Sequence, residues 1–268
     1  MTVLEARNLV KEYHLRQGLR TKALRAVDDV SFTLEPGRTV ALVGQSGSGK
    51  STIAKLLLQL ERPTSGEIRL NGEPVERRGA GLVRYRRTVQ MVFQDPFASL
   101  NPFHTVEHHL ERPIRLHHPG LSRTEVHRRV LRLLERVRLT PVENVAARRP
   151  HELSGGQRQR VAIARALAPE PGILIADEPV SMLDVSIRLG VLNLLATLQR
   201  EEALGVLYIT HDLATARHFS DEILVMYRGR IVERGPADDV ILNPQDEYTK
   251  TLAEAAPNPE RRIGELRG

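Results

Sequence analysis

The 268-residue sequence contains no cysteine. This absence excludes disulfides, thiolate metal sites, cysteine nucleophiles and a thiol redox role together. No stretch approaches the roughly 20 apolar residues of a membrane span, and charges interrupt every apolar run in the opening MTVLEARNLVKEYHL, which therefore lacks the apolar segment of a secretory signal. We expect a soluble, cytosolic protein that is long enough to bury a core without disulfides.

Positive charge is in excess, with 39 lysines and arginines against 33 acidic residues and a formal net charge of +6. A basic surface patch would favour nucleic acid or another anionic partner. The arginines are scattered along the chain, however, and scattered charges are typical of solvated helix faces. We therefore expect no nucleic-acid partner.

Three short apolar runs predict buried strands: TVALVG at 39–44, GILIADEP at 172–179 and GVLYITHD at 205–212. Helical patterns follow residue 160 and Asp184. Strands that alternate with helices favour an α/β fold with a mainly parallel sheet covered on both faces. In such sheets, ligands bind at the carboxyl ends of the strands.

Residues 97–160 read as an inserted helical subdomain. There, Ser122 and Glu125 have the spacing of a capping box. One apolar helix face follows, formed by Val126, Val130, Leu133, Leu134 and Val137.

Short strands dominate the beginning of the chain, where we expect an antiparallel β-subdomain. The alternating EILVMYRGRIVERG at 222–235 predicts a hairpin around Arg228 and Gly229. After Pro236 the sequence reads as a polar tail.

The stretch GQSGSGKS at 44–51 lies between a predicted strand and a predicted helix, and it matches the phosphate-loop pattern GxxxxGKS. Glycines let successive N–H groups turn inward around an anion, and the helix adds its positive N-terminal end. Lys50 would reach the terminal phosphates of a nucleotide, and the Ser51 hydroxyl would coordinate Mg²⁺. The predicted nucleotide contacts of this region are Gly44, Ser46, Gly47, Gly49, Lys50, Ser51 and Thr52.

Two adjacent acids, Asp177 and Glu178, end the second predicted strand. Asp177 is predicted to hold Mg²⁺ through water, and Glu178 to point at an attacking water. The alternative, two acids at a solvated strand end, is weakened by the phosphate loop.

A second anion-binding site is predicted in LSGGQ at 153–157, where Ser154 precedes a helix that begins with Gly155 and Gly156. Its bare N-terminus offers N–H groups and the helix dipole to an anion. The two anion-binding sites are far apart in sequence, and only the phosphate loop carries a lysine. In a dimer, the loop of one chain and the LSGGQ segment of the other could bind the same nucleotide.

Five motifs occur along the chain in the order GQSGSGKS, LSGGQ, ILIADEP, SMLD and ITHD. Over residues 5–236 they resemble the nucleotide-binding subunit of ATP-binding-cassette (ABC) transporters. The resemblance implies a cassette ATPase domain over 1–240, with the helical subdomain inserted in it, and a C-terminal tail over 241–268. It also implies ATP and Mg²⁺ as cofactors and a head-to-tail dimer that sandwiches two ATP molecules. The residues that the family would place on the partner's nucleotide are Ser154, Gly155, Gly156, Gln157 and Asp184.

The resemblance also suggests roles for three further residues. Gln94 in VFQDP matches a glutamine that contacts metal or water, and His211 in ITHD matches a histidine that holds the γ-phosphate. With Glu178 they form the predicted catalytic set. Tyr13 falls where the family stacks an aromatic ring on adenine, although a partly buried structural tyrosine explains it as well.

Three segments resemble the ATPase subunits of bacterial oligopeptide, dipeptide and nickel importers. They are VQMVFQDPFASLNP, ADEPVSMLDVSI and the tail NPQDEYTKTLAEAAPNP. In the tail, Asp246 and Glu247 replace the subfamily's usual His-Pro pair. This resemblance implies a peripheral protein at the cytoplasmic face of the bacterial cell membrane, bound to two membrane-spanning permease subunits and to a second ATPase subunit, a paralogue or itself. An extracellular solute-binding protein would act indirectly. The expected function is the import of small solutes, most of all peptides. The alternatives are a nickel or sugar importer, an exporter, or a soluble cassette that acts on nucleic acid or ribosomes.

Overall fold

The computed structural model describes residues 2–17 and 20–255, which form two β-sheets and eleven α-helices. The strands are β1 (Leu4–Gln17), β2 (Arg20–Leu34), β3 (Thr39–Val43), β4 (Ser65–Leu70), β5 (Glu73–Pro74), β6 (Val89–Val92), β7 (Ile173–Asp177), β8 (Gly205–Thr210), β9 (Glu222–Tyr227) and β10 (Arg230–Pro236). β2, β1, β4 and β5 lie side by side in an antiparallel sheet. The predicted antiparallel β-subdomain is therefore confirmed.

The other six strands form the central sheet in the order β10-β9-β3-β8-β7-β6. β9, β3, β8, β7 and β6 are parallel, and only β10 runs antiparallel at the edge. The three predicted strands are β3, β7 and β8. Sequence analysis missed β6, whose four residues are too few to show a pattern.

Successive residues of the central strands enter two different parts of the core, because side chains alternate between the faces of a sheet. In β3, Ala41 and Val43 pack with the helical region, whereas Val40 and Leu42 pack with the antiparallel sheet. Both faces are therefore buried, as the unbroken apolar runs indicate.

The helices cover the central sheet and extend from it. They are α1 (Lys50–Leu57), α2 (Gly79–Thr88), α3 (Pro96–Ser99), α4 (Val106–His117), α5 (Arg123–Arg136), α6 (Val142–Ala147), α7 (Gly155–Leu167), α8 (Val185–Glu201), α9 (Leu213–Phe219), α10 (Ala237–Leu242) and α11 (Glu247–Ala255). Of these, α3 to α7 lie between β6 and β7, in the predicted helical region. Among residues 2–17 and 20–255, we find no helix with both the length and the apolar character that a membrane crossing requires.

The predicted capping box begins α5. The Ser122 hydroxyl accepts a hydrogen bond from the Glu125 backbone N–H, and the Glu125 carboxylate accepts one from the Ser122 N–H. The apolar face that follows it is buried, as predicted.

The predicted hairpin is also present, as β9 and β10. Arg228 and Gly229 connect the strands with φ values of 46° and 87°, the left-handed region that a tight hairpin turn requires.

The interpretation of the residues after Pro236 as a polar tail is wrong for the part that the structure describes. This segment forms α10 and α11, and Tyr248, Leu252 and Ala253 of α11 pack against the core. The spacing of four residues places Tyr248 and Leu252 on one helix face, and the short apolar pattern did not reveal this helix. Residues 256–268 of the predicted tail lie outside the described residues.

Candidate functional site

Four groups of predicted site residues meet at the carboxyl edge of the central sheet. The phosphate loop follows β3, and Gln94 is the second residue after β6. Asp177 ends β7, and His211 follows β8. Because these four strands are parallel neighbours, their carboxyl ends lie along the same edge. The fold therefore brings together residues that are far apart in the sequence.

The phosphate loop depends on glycine at two positions where the backbone is tightly constrained. A Cβ atom at Gly44 would lie 2.2 Å from the carbonyl oxygen of Met226, which belongs to β9. Gly49 has a φ of 114°, and a Cβ there would lie 2.3 Å from the carbonyl oxygen of Ala26. Any side chain at either position would displace the loop from the strands that support it.

Lys50 is the first residue of α1 and is buried beneath the loop. Its Nζ donates hydrogen bonds to the carbonyl oxygens of Gly44 (2.6 Å) and Gln45 (2.9 Å). Burial lowers the pKa of this ammonium group, and the carboxylates of Glu178 and Asp177 oppose that effect. The cation is thus held inside the loop and close to two negative charges.

Asp177 lies beside α1. Burial, followed by the neighbouring Glu178 carboxylate, raises the pKa of Asp177 above its usual range, while Lys50 and a hydrogen bond from the Ser51 hydroxyl oppose the shift. A half-buried carboxylate beside a hydroxyl is a pair of hard oxygen ligands of the kind that Mg²⁺ prefers.

Glu178 has a φ of 44°, in the left-handed region that a glutamate seldom adopts. One carboxylate oxygen accepts a hydrogen bond from Gln94 Nε2 at 3.1 Å, and the other lies 3.1 Å from His211 Nδ1. The three residues predicted to be catalytic are therefore in direct contact.

A cleft of about 740 Å³ is lined by the phosphate loop, Glu178, His211 and Gln94. Tyr13 of β1 lies on its wall, with its ring centroid 4.8 Å from Lys11 Nζ. The structure therefore places the predicted aromatic residue on the same cleft as the phosphate loop. A cleft of this size, with a lysine, a glutamate and an aromatic side chain on its walls, can hold a mononucleotide.

Two observations indicate that the loop fits a phosphate. Ser48 Oγ is buried in the loop and makes no hydrogen bond within the part of the chain that the structure describes. The φ values of Gly47 and Gly49 are both positive, which is the backbone geometry that turns successive N–H groups toward an anion. Ser51 and Gln94 line this cleft. The Ser51 hydroxyl is hydrogen-bonded to the Asp177 carboxylate, so hard oxygen atoms of the kind that Mg²⁺ prefers lie at its edge.

Ser154, Gly155, Gly156 and Gln157 begin α7 and do not line this cleft of the described chain. Ser154 Oγ accepts from the Gln157 N–H, and Gln157 Oε1 accepts from the Ser154 N–H, so the helix has a capping box. A Cβ at Gly156 would lie 2.5 Å from Ile187 Cγ2 of α8. Sequence analysis interpreted this glycine only as part of a bare helix start, whereas packing against α8 also requires it.

Asp184 occupies the N-cap position of α8, but its exposed side chain makes no capping hydrogen bond. The carboxylate is therefore available at the surface, outside the cleft that Glu178 lines.

The sequence did not indicate that two residues near the C-terminus reach the site. The Tyr248 hydroxyl oxygen accepts a hydrogen bond from the Gln45 N–H at 3.0 Å, and Leu252 lines the cleft. Both belong to α11. The available signal was the tail segment EYTKTL, which resembles an importer extension but had no predicted contact.

The fold and the loop between β3 and α1 define a phosphate-loop protein of the α/β class. The family model described as ABC transporter matches residues 27–181, more than half of the chain. The chain therefore belongs to the ABC transporter family.

Two curated relatives are glutathione import ATP-binding proteins named GsiA. The protein from Salmonella typhimurium strain LT2 is 48% identical over 259 residues, which cover 95% of this chain and 41% of that protein. The protein from Escherichia coli K12 is 48% identical over 264 residues, covering 96% and 42%. The chain thus spans less than half the length of these relatives.

Two solved structures are similar to the whole fold. The dimeric post-hydrolysis state of the ATP-binding cassette MJ0796, bound to ADP and Pi, has a TM-score of 0.76 and 32% identity, covering 87% of this chain and 98% of that one. CbiO1 from Clostridium perfringens, part of the ABC transporter complex cbiONQ, has a TM-score of 0.79 and 28% identity, with 98% of both chains covered. The expected α/β cassette architecture is therefore confirmed.

Proposed function

We propose that this chain is the ATP-hydrolysing subunit of an importer that carries small peptides across a bacterial cell membrane. The observation that carries the ATPase assignment is the contact of Gln94 and His211 with the Glu178 carboxylate on the wall of the phosphate-loop cleft. The substrate class is supported by the names of the relatives, since glutathione is itself a tripeptide.

ATP lies in the 740 Å³ cleft in this proposal. The adenine ring stacks on Tyr13, and the phosphates bind the loop through Lys50 and the N–H groups of Gly44, Ser46, Gly47, Gly49, Ser51 and Thr52. Ser51, Asp177 and Gln94 would hold Mg²⁺, which would supply positive charge against the phosphate oxygens of the nucleotide.

Glu178 acts as the general base. It orients a water molecule and takes its proton while the water oxygen bonds to the γ-phosphorus and the bond from that phosphorus to the ADP oxygen breaks. His211 and Gln94 hold the Glu178 carboxylate in place from opposite oxygens. His211 also contacts the γ-phosphate when ATP is bound, for which its exposed side chain is accessible.

A second ATPase subunit completes each site. Ser154, Gly155, Gly156 and Gln157 at the start of α7, and Asp184 at the start of α8, are outside the cleft of their own chain and are free to meet the nucleotide of the partner. Binding of ATP closes this dimer and switches the permeases, and hydrolysis reopens it, because only the closed state contacts ATP from both sides.

The permeases bind a second cleft, of about 1030 Å³, that Gln94 also lines. Its other walls carry exposed apolar side chains of Leu60, Phe93 and Leu116. An apolar groove that shares Ser51 and Gln94 with the ATP cleft suits a short permease helix whose position responds to the nucleotide. Docking there places the chain at the cytoplasmic face of the membrane, and an extracellular solute-binding protein delivers the peptide to the permeases.

The test is ATP-driven peptide uptake into proteoliposomes that contain this chain, its permeases and the solute-binding protein. The wild-type complex is expected to accumulate a labelled tripeptide only with Mg-ATP, and Glu178→Gln is expected to abolish uptake. Uptake that Glu178→Gln leaves unchanged would refute the ATPase role. Uptake of Ni²⁺ or a sugar in place of the peptide would refute the substrate class.

A further inference from the structure

The C-terminal helix α11 contacts the phosphate loop directly. The Tyr248 hydroxyl accepts a hydrogen bond from the N–H of Gln45, with an N–O distance of 3.0 Å. This N–H belongs to the peptide group between Gly44 and Gln45, whose carbonyl oxygen accepts a hydrogen bond from Lys50 Nζ at 2.6 Å. The same peptide group is thus held at one end by the lysine and at the other by a tyrosine from the end of the described chain.

Tyr248 is itself firmly placed. The Glu233 carboxylate of β10 accepts hydrogen bonds from the N–H groups of Gln245 (2.8 Å) and Asp246 (3.1 Å), which fixes the start of α11. Asp246 then accepts one from the Tyr248 N–H at 2.8 Å. The Tyr248 ring stacks on Tyr227 of β9, with centroids 4.2 Å apart and an interplanar angle of 30°.

The next turn of α11 reaches the nucleotide cleft. Leu252, four residues after Tyr248, is on the same helix face and lines the cleft together with Lys50 and His211. One face of α11 therefore supports the loop from outside with a hydroxyl group and closes part of the cleft with an apolar side chain.

We propose that Tyr248 is a positioning residue for the phosphate loop, acting through the Gly44–Gln45 peptide group on Lys50. A loop rich in glycine loses much conformational freedom when it closes around phosphate. A hydrogen bond that fixes one of its peptide groups beforehand reduces that loss, so it strengthens ATP binding without taking part in the reaction. The proposal rests on the proposed function, because it assigns a task toward the same nucleotide.

The critical change is Tyr248→Phe, which removes the hydroxyl acceptor and keeps the stacked ring. Tyr227→Phe is the matched control, since it removes the other hydroxyl of the same stacked pair. Mg-ATP affinity is measured by isothermal titration in the full chain carrying Glu178→Gln, which prevents turnover. The loss of one hydrogen bond is expected to weaken ATP binding by about threefold to tenfold in Tyr248→Phe. Affinity should change by less than about twofold in Tyr227→Phe.

A kinetic measurement separates positioning from general destabilisation. With Glu178 intact, Tyr248→Phe is expected to raise the KM for Mg-ATP by the same factor and to leave kcat within about twofold. Equal ATP affinity in Tyr248→Phe and Tyr227→Phe would overturn the proposal. A kcat that falls while KM is unchanged would also overturn it.

A second variant tests the same contact from a distance. Glu233→Gln weakens the anchor of α11 and leaves the loop and the tyrosine unaltered. It should also weaken ATP binding, and the double variant with Tyr248→Phe should bind no more weakly than Tyr248→Phe alone, because both act through one hydrogen bond. If Tyr248→Phe does not fold, as judged by circular dichroism, unchanged ATP affinity in Glu233→Gln refutes the proposal. Failure of the Glu178→Gln parent to bind ATP would refute the proposed function instead.

Discussion

Glu178 combines an uncommon backbone conformation with a central place in the site. Its φ of 44° directs the chain out of β7, while its N–H still donates to the Ile209 carbonyl oxygen at 2.9 Å. The carboxylate thereby faces Gln94 and His211. Unfavourable backbone conformations persist where the surrounding structure enforces them, and they concentrate at functional sites.

The adjacent Asp177 is expected to reduce the stability of the nucleotide-free protein. Its raised pKa means that the folded state holds the proton more tightly than the unfolded state does. The stability from this group is therefore lost as the pH rises through that raised pKa. Asp177→Asn, measured without Mg²⁺ or nucleotide at pH 8, should raise Tm by about 2–4 °C, the shift that ~1 kcal/mol gives in a chain of this size.

The exposed Asp184 supplies the control, because Asp184→Asn removes an exposed charge and leaves the half-buried carboxylate of Asp177 in place. Its Tm should match that of the wild type. The gain from Asp177→Asn should shrink as the pH falls and the wild-type carboxyl becomes protonated. A lower Tm for Asp177→Asn at pH 8 would contradict this interpretation of the site.

The loop and the acids could be predicted from sequence because their chemistry is local. Gly44 to Gly49 connect β3 to α1, which begins with Lys50, Ser51 and Thr52. Asp177 and Glu178 end an apolar run. Tyr248 could not be predicted in this way, since its partner Gln45 is 203 residues away and the contact depends on the packing of α11.

At the level of elements, the two glycines that begin α7 differ in their surroundings. A Cβ at Gly156 would lie 2.5 Å from Ile187 Cγ2, whereas at Gly155 its nearest neighbour would be Leu183 Cδ2 at 3.4 Å. Gly156→Ala should therefore separate α7 from α8 and cost roughly 1–3 kcal/mol of folding free energy. Chemical denaturation of the two alanine variants measures this difference.

Gly155→Ala is the matched control and should unfold close to the wild type. Combining Gly156→Ala with Ile187→Ala should recover part of the loss, because the smaller side chain leaves room for the new methyl group. Equal stability of Gly155→Ala and Gly156→Ala would show that α7 and α8 do not pack as described.

The elements that sequence analysis recovered are those with a strong periodic or apolar pattern. The capping box and apolar face of α5 and the buried strands β3, β7 and β8 belong to this group. The four-residue β6 and the short α11 were missed, because neighbouring strands and the core, rather than local pattern, determine their structure.

At the scale of the whole molecule, one chain presents its phosphate cleft and its α7 N-terminus as separate sites. We expect Glu178→Gln to pair with itself when Mg-ATP is present, since the unhydrolysed nucleotide holds the two chains together. Light scattering should then give twice the 30.1 kDa of one chain, against a single-chain mass without nucleotide. A mass of one chain at saturating Mg-ATP would contradict self-pairing and require a different ATPase subunit.

The most direct test of the central claim follows the fate of bound ATP in the full chain. Radiolabelled Mg-ATP is added in limiting amount, and the protein-bound nucleotide is recovered by rapid filtration and separated into ATP and ADP. The wild-type chain is expected to retain nucleotide that converts to ADP, whereas Glu178→Gln should retain ATP that stays intact. Conversion by Glu178→Gln at the wild-type rate, or no retained ATP in either protein, would contradict the account.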